Sequence, residues 1–295
     1  MDISILQSIR NLFGNDVQIS GRTRVSGGDI NQAYRLQLSD GSLVFLKTNR
    51  PELEDMFHAE LEGLSALASS GVIPVAAPLS AGRDPEENVS FLLLEYIQDG
   101  RPSESFWEDF GRSLALMHRQ NTDPFTPGGR YGFTRDNYIG RTPQSNATHT
   151  SFITFFKKER LLPQIRMAER WFEKEDYSAA ERLLDRLDDL LIEPAFPSLL
   201  HGDLWSGNFL IGADRRAVLI DPAVYVGCAE ADLAMTELFG GFSSRFYDGY
   251  REVTSVTYGY EDRKDLYNLY HLLNHLNLFG SGYLPSVRRI LYRYG

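Results

Sequence analysis

The chain has 295 residues, of which 42% are hydrophobic and 12% aromatic, so it is long enough to bury a core and to divide into two lobes. Its formal net charge of -10 argues against nucleic acid or an anionic membrane as a partner, and favours a small or neutral substrate. No apolar run approaches the roughly 18 residues of a membrane span, and residues 1–15 lack the features of a signal peptide, which predicts a cytoplasmic protein. The single cysteine, Cys228, excludes an internal disulfide and a cysteine zinc site.

The first third of the chain combines strand-like segments with one clear helical segment. Residues 32–38 and 43–48 are predicted strands, joined by a Ser-Asp-Gly-Ser turn. Between residues 53 and 69 apolar side chains recur at helical spacing, and Glu60 lies beside that apolar stripe. Residues 91–97 form a further apolar run that predicts a strand. This order indicates a small lobe built from strands and a helix.

The pattern changes after this lobe. Residues 99–102, Asp-Gly-Arg-Pro, interrupt it, so we place a boundary after Ile97, with an N-terminal nucleotide-binding lobe at 1–97 and a C-terminal catalytic and substrate-binding lobe at 98–295. Beyond the boundary the apolar period is mainly helical. The exception is the stretch 197–221, which predicts a loop followed by a hairpin.

Three polar residues in that stretch are the strongest functional signal of the chain. Asp203 and Asn208 lie on one short loop, and the following hairpin could return Asp221 to the same place. Phosphoryl transfer requires such a set: oxygen ligands for magnesium and an acceptor for the hydroxyl proton. Turn formation alone explains each of these residues singly, but it does not require their joint arrangement.

The motifs of this stretch resemble those of a known group of enzymes. Residues 201–208 read His-Gly-Asp-Leu-Trp-Ser-Gly-Asn, and Ile-Asp-Pro follows at 220–222. These resemble the catalytic loop and metal-binding motif of the aminoglycoside-phosphotransferase-like kinases, and Trp205 makes the loop similar to that of the fructosamine (ketosamine) 3-kinases. The resemblance runs nearly end to end and also includes residues 27–31, 131–133, 136–137, 139–140, 142–144, 230–234, 238–242 and 272–275.

The resemblance implies an α+β, two-lobed protein-kinase-like fold, with a small antiparallel-sheet lobe that carries one helix and a mostly helical C-terminal lobe. It implies that Asp203 is the catalytic base and that Asn208 and Asp221 hold Mg²⁺. The donor would be ATP, and the acceptor would be the 3-hydroxyl of a ketosamine, a ribulosamine, erythrulosamine or fructosamine adduct of a free amine or a protein lysine. The implied role is deglycation.

Lys47 and Glu60 fit the same scheme. A lysine that ends an inner strand can reach the ATP phosphates, and a glutamate beside the apolar side of a helix needs a cationic partner. Each is therefore the other's best candidate. Taken alone, either would be interpreted as a solvated surface residue.

Four further positions could bind ATP through the backbone. Gly27 and Gly28 could cover the phosphates with amide groups, although a glycine pair between strands is more often a turn. Residues 94–97 resemble the kinase hinge, in which the backbone of Glu95 and Ile97 would hydrogen-bond adenine. A buried strand is equally compatible with this last segment.

Aromatic and histidine residues complete the candidate set. Trp205, next to the presumed base, offers a flat apolar face suited to a sugar-like chain, and a buried structural tryptophan is the alternative. His271 and His275 stand at i and i+4, a spacing that could ligate a metal. The leucines around them, and the lack of an acidic partner at matching spacing, favour packing or hydrogen bonding.

Two other functions are compatible with these residues. The acceptor could be an aminoglycoside, choline or another small alcohol. The chain could also be a catalytically silent pseudokinase that acts as a binding module, although the presence of Lys47, Glu60, Asp203, Asn208 and Asp221 disfavours it.

Overall fold

The computed structural model describes residues 2–25 and 30–295, which form two compact units. Unit 1 contains the residues up to Phe106 together with Phe209–Pro222. Unit 2 contains Trp107–Asn208 and Ala223–Gly295.

Unit 1 combines strands with two α-helices, and helices predominate in unit 2. The strands, in chain order, are β1 Ile19–Val25, β2 Gln32–Leu38, β3 Leu43–Asn49, β4 Pro78–Asp84, β5 Val89–Glu95, β6 Asn137–Ile139, β7 Thr142–Gln144, β8 Ser198–Leu200, β9 Phe209–Ile211, β10 Ala217–Leu219 and β11 Tyr225–Gly227. The α-helices are α1 Ile5–Phe13, α2 Glu54–Ala68, α3 Phe106–His118, α4 Phe152–Phe155, α5 Leu162–Met167, α6 Lys174–Asp185, α7 Leu187–Leu190, α8 Ala229–Leu238, α9 Ser244–Val253, α10 Tyr260–Phe279 and α11 Leu284–Tyr294. A π-helical segment spans Phe156–Leu161, and short 3₁₀ segments span Pro51–Leu53, Asp123–Phe125, Glu169–Trp171 and Ser281–Tyr283.

A five-stranded antiparallel sheet forms the centre of unit 1, in the order β1-β2-β3-β5-β4. The two strands predicted around the Ser-Asp-Gly-Ser turn are confirmed as β2 and β3, with Gln37 opposite Leu43. The predicted strand at 91–97 is also present, but β5 ends at Glu95, two residues earlier. β3 lies between β2 and β5, so its backbone is hydrogen-bonded on both sides. This fixes the position of side chains near its end.

Two helices accompany this sheet. α2 is the helix predicted at residues 53–69, and Phe57, Leu64 and Leu67 form its buried side. α1 adds a second helix, which begins where the Ser4 hydroxyl accepts a hydrogen bond from the Gln7 amide. The core beneath α1 is apolar and consists of Ile5, Ile9, Val17, Leu36, Leu38, Val44, Leu46, Phe91 and Leu93.

Unit 2 is mostly helical, as expected. α10, with 20 residues, is its longest helix and packs against α8 and α11. β8 and β11 pair antiparallel with Leu200 opposite Tyr225, so the loop that follows β8 begins from a fixed strand. Within the described residues, no helix combines the length and apolar character needed to cross a membrane.

Candidate active site

The candidate functional residues of unit 1 include a cluster around the ammonium group of Lys47. Lys47 lies near the end of β3, where its neighbours across the sheet are Ala33 and Leu92, and it is buried. Its Nζ donates a hydrogen bond of 2.5 Å to Oε1 of Glu60 on α2. The predicted pairing of Lys47 with Glu60 is therefore present.

Lys47 also donates to Oδ1 of Asp221. The sequence predicted Asp221 at the edge of a hairpin, and the hairpin is formed by β9 and β10. Backbone hydrogen bonds from Leu219 to Pro74 and from Ala76 to Leu219 tie the hairpin to the segment before β4. Asp221 follows directly, with φ of 53°, and its side chain remains 44% exposed.

Burial and ion pairing act in opposite directions on the pKa values of Lys47 and Glu60. Burial alone would lower the pKa of Lys47, but the carboxylates of Asp221 and Glu60 outweigh it and raise that pKa above its usual value. Burial also raises the pKa of Glu60, which the Lys47 ammonium opposes. Lys47 is accordingly a permanent cation, of the kind that can neutralise a phosphate.

Three candidate functional residues of unit 2 lie on the loop after β8: Asp203, Trp205 and Asn208. Nδ2 of Asn208 donates to the backbone oxygen of Asp203 at 2.8 Å and to its Oδ2 at 3.1 Å. These two bonds fix the orientation of the Asn208 amide, so Oδ1 is the atom that could coordinate a cation. They also orient the Asp203 carboxylate, as a proton acceptor requires.

A buried carboxylate that the sequence analysis did not single out holds the start of this loop. Asp232 on α8 accepts from the backbone N–H of His201 at 2.8 Å and of Gly202 at 2.9 Å, and its Oδ2 lies 3.2 Å from Nε2 of His118. Burial alone would raise the pKa of Asp232, but the hydrogen bonds and the neighbouring histidines lower it. Asp232 belongs to one of the stretches that carried the family resemblance. An acidic residue inside an apolar helix is the sequence feature that could have identified it.

The glycine in this loop is required by space as well as by conformation. Gly202 has φ of 80°, and a Cβ atom there would lie 2.0 Å from the carbonyl oxygen of Ala223. The backbone of Ala223 is fixed because its N–H donates to His201. A side chain at position 202 would therefore displace the loop that carries Asp203.

These features agree with the comparisons to known proteins. The family model of the fructosamine kinases matches residues 1–294. The chain belongs to the fructosamine kinase family. It is thus a kinase, a phosphotransferase with a protein-kinase-like fold, and solved macrolide phosphotransferases only 14–16% identical share that fold, with TM-scores of 0.60–0.62.

Several relatives of this fructosamine kinase family member cover nearly the whole chain. A probable ketoamine kinase of Synechocystis sp. is 39% identical over 289 residues, which cover 98% of this chain and 95% of the relative. A chloroplastic protein-ribulosamine 3-kinase of Arabidopsis thaliana is 39% identical over 283 residues, 94% of this chain and 83% of the relative. The crystal structure of a putative fructosamine-3-kinase from Thermobifida fusca is 33% identical, with a TM-score of 0.84, and covers 98% of this chain and 99% of that one.

Trp205 lies on the same loop of this kinase, and the residue is 37% exposed. Its ring contacts Phe239 edge-on, with centroids 6.3 Å apart, and Phe239 in turn lies 4.8 Å from the ring of His275. Trp205 is thus held by aromatic packing on one side, and a large part of its surface stays open to solvent. An entirely buried, structural tryptophan is excluded.

Gly27 and Gly28 lie outside the described residues. The backbone N–H of Glu95 donates to Ala77, so the carbonyl is the group of Glu95 that would contact adenine. Ile97 follows the end of β5. Among the described residues, no group of three or more His, Cys, Asp or Glu side chains is arranged to hold a metal ion.

Proposed function

We propose that this kinase transfers the γ-phosphate of ATP to the 3-hydroxyl of a ketosamine, and that phosphorylation destabilises the adduct and leads to deglycation. The observation that carries the proposal is the bond from Asn208 to Asp203, because it orients a carboxylate on the motif loop of a fructosamine kinase. The names of the relatives support the same substrate class, since they include ketoamine kinases and a protein-ribulosamine 3-kinase.

Asp203 is proposed as the base of the reaction. The hydroxyl oxygen of the acceptor forms a bond to the γ-phosphorus while the bond from that phosphorus to the bridging oxygen of ADP breaks. Asp203 takes the hydroxyl proton as this occurs, and Asn208 keeps the carboxylate in position. Positioning of this kind supplies most of the catalysis in phosphoryl transfer, because little covalent chemistry is left to the protein.

In this proposal, ATP is bound by Lys47, by the backbone at positions 95 and 97, and by two glycines. Lys47, held by Glu60, neutralises the phosphates. The backbone of Glu95 and Ile97 contacts adenine, and the amides of Gly27 and Gly28 cover the phosphates.

Asn208 and Asp221 are proposed to hold Mg²⁺. The donor atoms fit this ion, because Mg²⁺ prefers oxygen ligands. The hydrogen bonds of the Asn208 amide leave Oδ1 as its ligand atom, and Asp221 contributes a carboxylate oxygen. When bound, Mg²⁺ neutralises the charge of the β- and γ-phosphates. The exposed side chain of Asp221 is compatible with this role.

The acceptor is proposed to pack against Trp205. A sugar chain presents C–H groups that suit a flat indole face, and the exposed part of Trp205 lies on the same loop as Asp203. The amine that carries the sugar is either a free amine or a protein lysine.

A panel of acceptors tests the proposed function. Purified protein is incubated with Mg²⁺ and γ-labelled ATP, and label transfer is measured to ribulose-lysine, erythrulose-lysine and fructose-lysine, with choline and kanamycin as comparison acceptors. We expect kcat/KM to be highest for one of the ketosamines. Preferential labelling of choline or kanamycin would replace the ketosamine with another alcohol, and no transfer to any acceptor would indicate a binding module.

A further inference from the structure

His271 has an unusual environment for a histidine in a helix. It lies on α10, its side chain is 5% exposed, and its Nδ1 is buried without a hydrogen-bond partner. Oδ1 of Asp203 lies 3.8 Å from that nitrogen. The distance is too long for a hydrogen bond in the absence of substrate.

Packing alone does not explain this arrangement. Tyr270 and Leu272 flank His271 on α10, and a leucine at position 271 would fill the space without leaving a nitrogen unsatisfied. Buried polar atoms in native proteins nearly always have a partner, and a catalytic role is one physical reason for an exception. Hydrogen bonds of such sites are commonly long without substrate and shorten in the reacting complex.

The surroundings of the His271 ring decide which of its two nitrogens carries the hydrogen. Burial, together with the nearby His275, lowers the pKa of His271 to about 3, so the imidazole is neutral and has one N–H group. A lone pair at Nδ1 would face the negative charge of Asp203 and repel it. The tautomer with hydrogen on Nδ1 points a donor at the carboxylate instead, and it is therefore favoured.

We propose that His271 is a positioning residue, which donates a hydrogen bond from Nδ1 to Oδ1 of Asp203 when the acceptor binds. The inference rests on the role of Asp203 in the proposed function. Asn208 already holds Oδ2 of the same carboxylate, so the two donors together restrict its rotation. Each carboxylate oxygen can accept more than one hydrogen bond, and thus the acceptor hydroxyl still has a lone pair to bind.

Three substitutions separate this role from packing. His271→Asn places an amide nitrogen where Nδ1 is, His271→Gln reaches instead towards the position of Nε2, and His271→Leu fills the space without a donor. We expect kcat with the preferred ketosamine to fall about 10- to 100-fold in His271→Leu and His271→Gln. We expect His271→Asn to stay within about threefold of wild type, and the KM for ATP to change little in all three.

The Asp203→Asn background provides the control for general damage to the fold. If His271 acts through Asp203, His271→Leu lowers kcat less in that background than in the wild type, because the two residues act as one unit. An equal loss in both backgrounds, or equal recovery by His271→Gln and His271→Asn, would overturn the proposal.

Nitrogen NMR tests the tautomer of His271 without any substrate. The chain has six histidines, so ¹⁵N-histidine labelling gives few signals, and His271→Asn identifies the one from His271. We expect a protonated Nδ1 whose shift changes in Asp203→Ala. A ring protonated on Nε2 would contradict the inference. A wild-type protein that phosphorylates no ketosamine would instead refute the proposed function, and the NMR result would still decide the tautomer.

Discussion

Lys47 donates a hydrogen bond to Asp221, which lies 174 residues further along the chain. The same ammonium pairs with Glu60, whose side chain is only 15% exposed. One buried cation thus connects the sheet, α2 and the end of the β9–β10 hairpin within unit 1. Its loss should affect folding as well as nucleotide binding.

Lys47→Met tests that connection. The substitution leaves the Glu60 carboxylate buried without its cation, so we expect the free energy of unfolding to fall by about 3–5 kcal/mol. The double variant Lys47→Met/Glu60→Gln should recover part of that loss, because a neutral amide is less costly to bury. Urea unfolding measures both. Lys157→Met, which removes a longer and partly exposed pair with Asp185, should change stability by less than about 1 kcal/mol.

Asp221→Asn tests the proposed metal ligand. A neutral amide is a poorer ligand than a carboxylate for a hard dication, so we expect the affinity for magnesium-ATP to fall far more than the affinity for ATP alone. Nucleotide titrations with and without magnesium measure the two effects. Asp214→Asn, on the turn of the same hairpin, is the matched control and should change neither affinity. Equal losses in both titrations would make Asp221 a structural residue.

The sequence was informative wherever the signal was local. The bounds of β2 follow from residues inside the strand and the adjacent turn, and α2 follows from its apolar period. The Lys47–Glu60 pair was also predictable, because a charged residue beside an apolar stripe requires a partner of opposite charge.

Contacts between distant segments could not be predicted in the same way. The hairpin at Phe209–Pro222 joins unit 1 through backbone hydrogen bonds to the segment before β4. The spacing of apolar residues along the chain does not indicate such bonds. Asp232 and His118 are 114 residues apart, so nothing in the sequence connects the loop that carries Asp203 to either residue. His271 was expected to pack or to form a hydrogen bond, but its distance to Asp203 depends on the fold.

Trp205→Ala tests the proposed acceptor surface. Trp205 is partly exposed on the loop that carries Asp203, so we expect a lower kcat/KM for the ketosamine and an unchanged KM for ATP. Trp205→Phe should retain more activity, because the aromatic face is kept. A loss confined to the KM for ATP would assign the side chain to the nucleotide site.

The depressed pKa of His271, about 3 in the folded state, predicts a dependence of stability on pH. Between this value and the ordinary value of 6.5, the unfolded chain binds a proton at His271 that the folded protein does not bind. The contribution of His271 to the free energy of unfolding is therefore fully present above pH 6.5. It is lost as the pH falls below that value, by at most about 1.4 kcal/mol per pH unit.

Comparison with His271→Asn isolates this contribution, since every other titrating group is present in both proteins. Urea unfolding at pH values of about 7.5, 6 and 5 should show the wild type losing stability relative to the variant as the pH falls. A constant difference across that range would mean that His271 takes up its proton in the folded protein.

The most direct test of the account is phosphate transfer from magnesium-ATP to ribulose-lysine by the wild type and by Asp203→Asn. The variant keeps the shape of the side chain and removes the proton acceptor, so we expect kcat to fall by about 10²- to 10⁴-fold while nucleotide affinity is retained. Asp203→Asn that transfers phosphate at the rate of the wild type would contradict the assignment of Asp203 as the base of a ketosamine kinase.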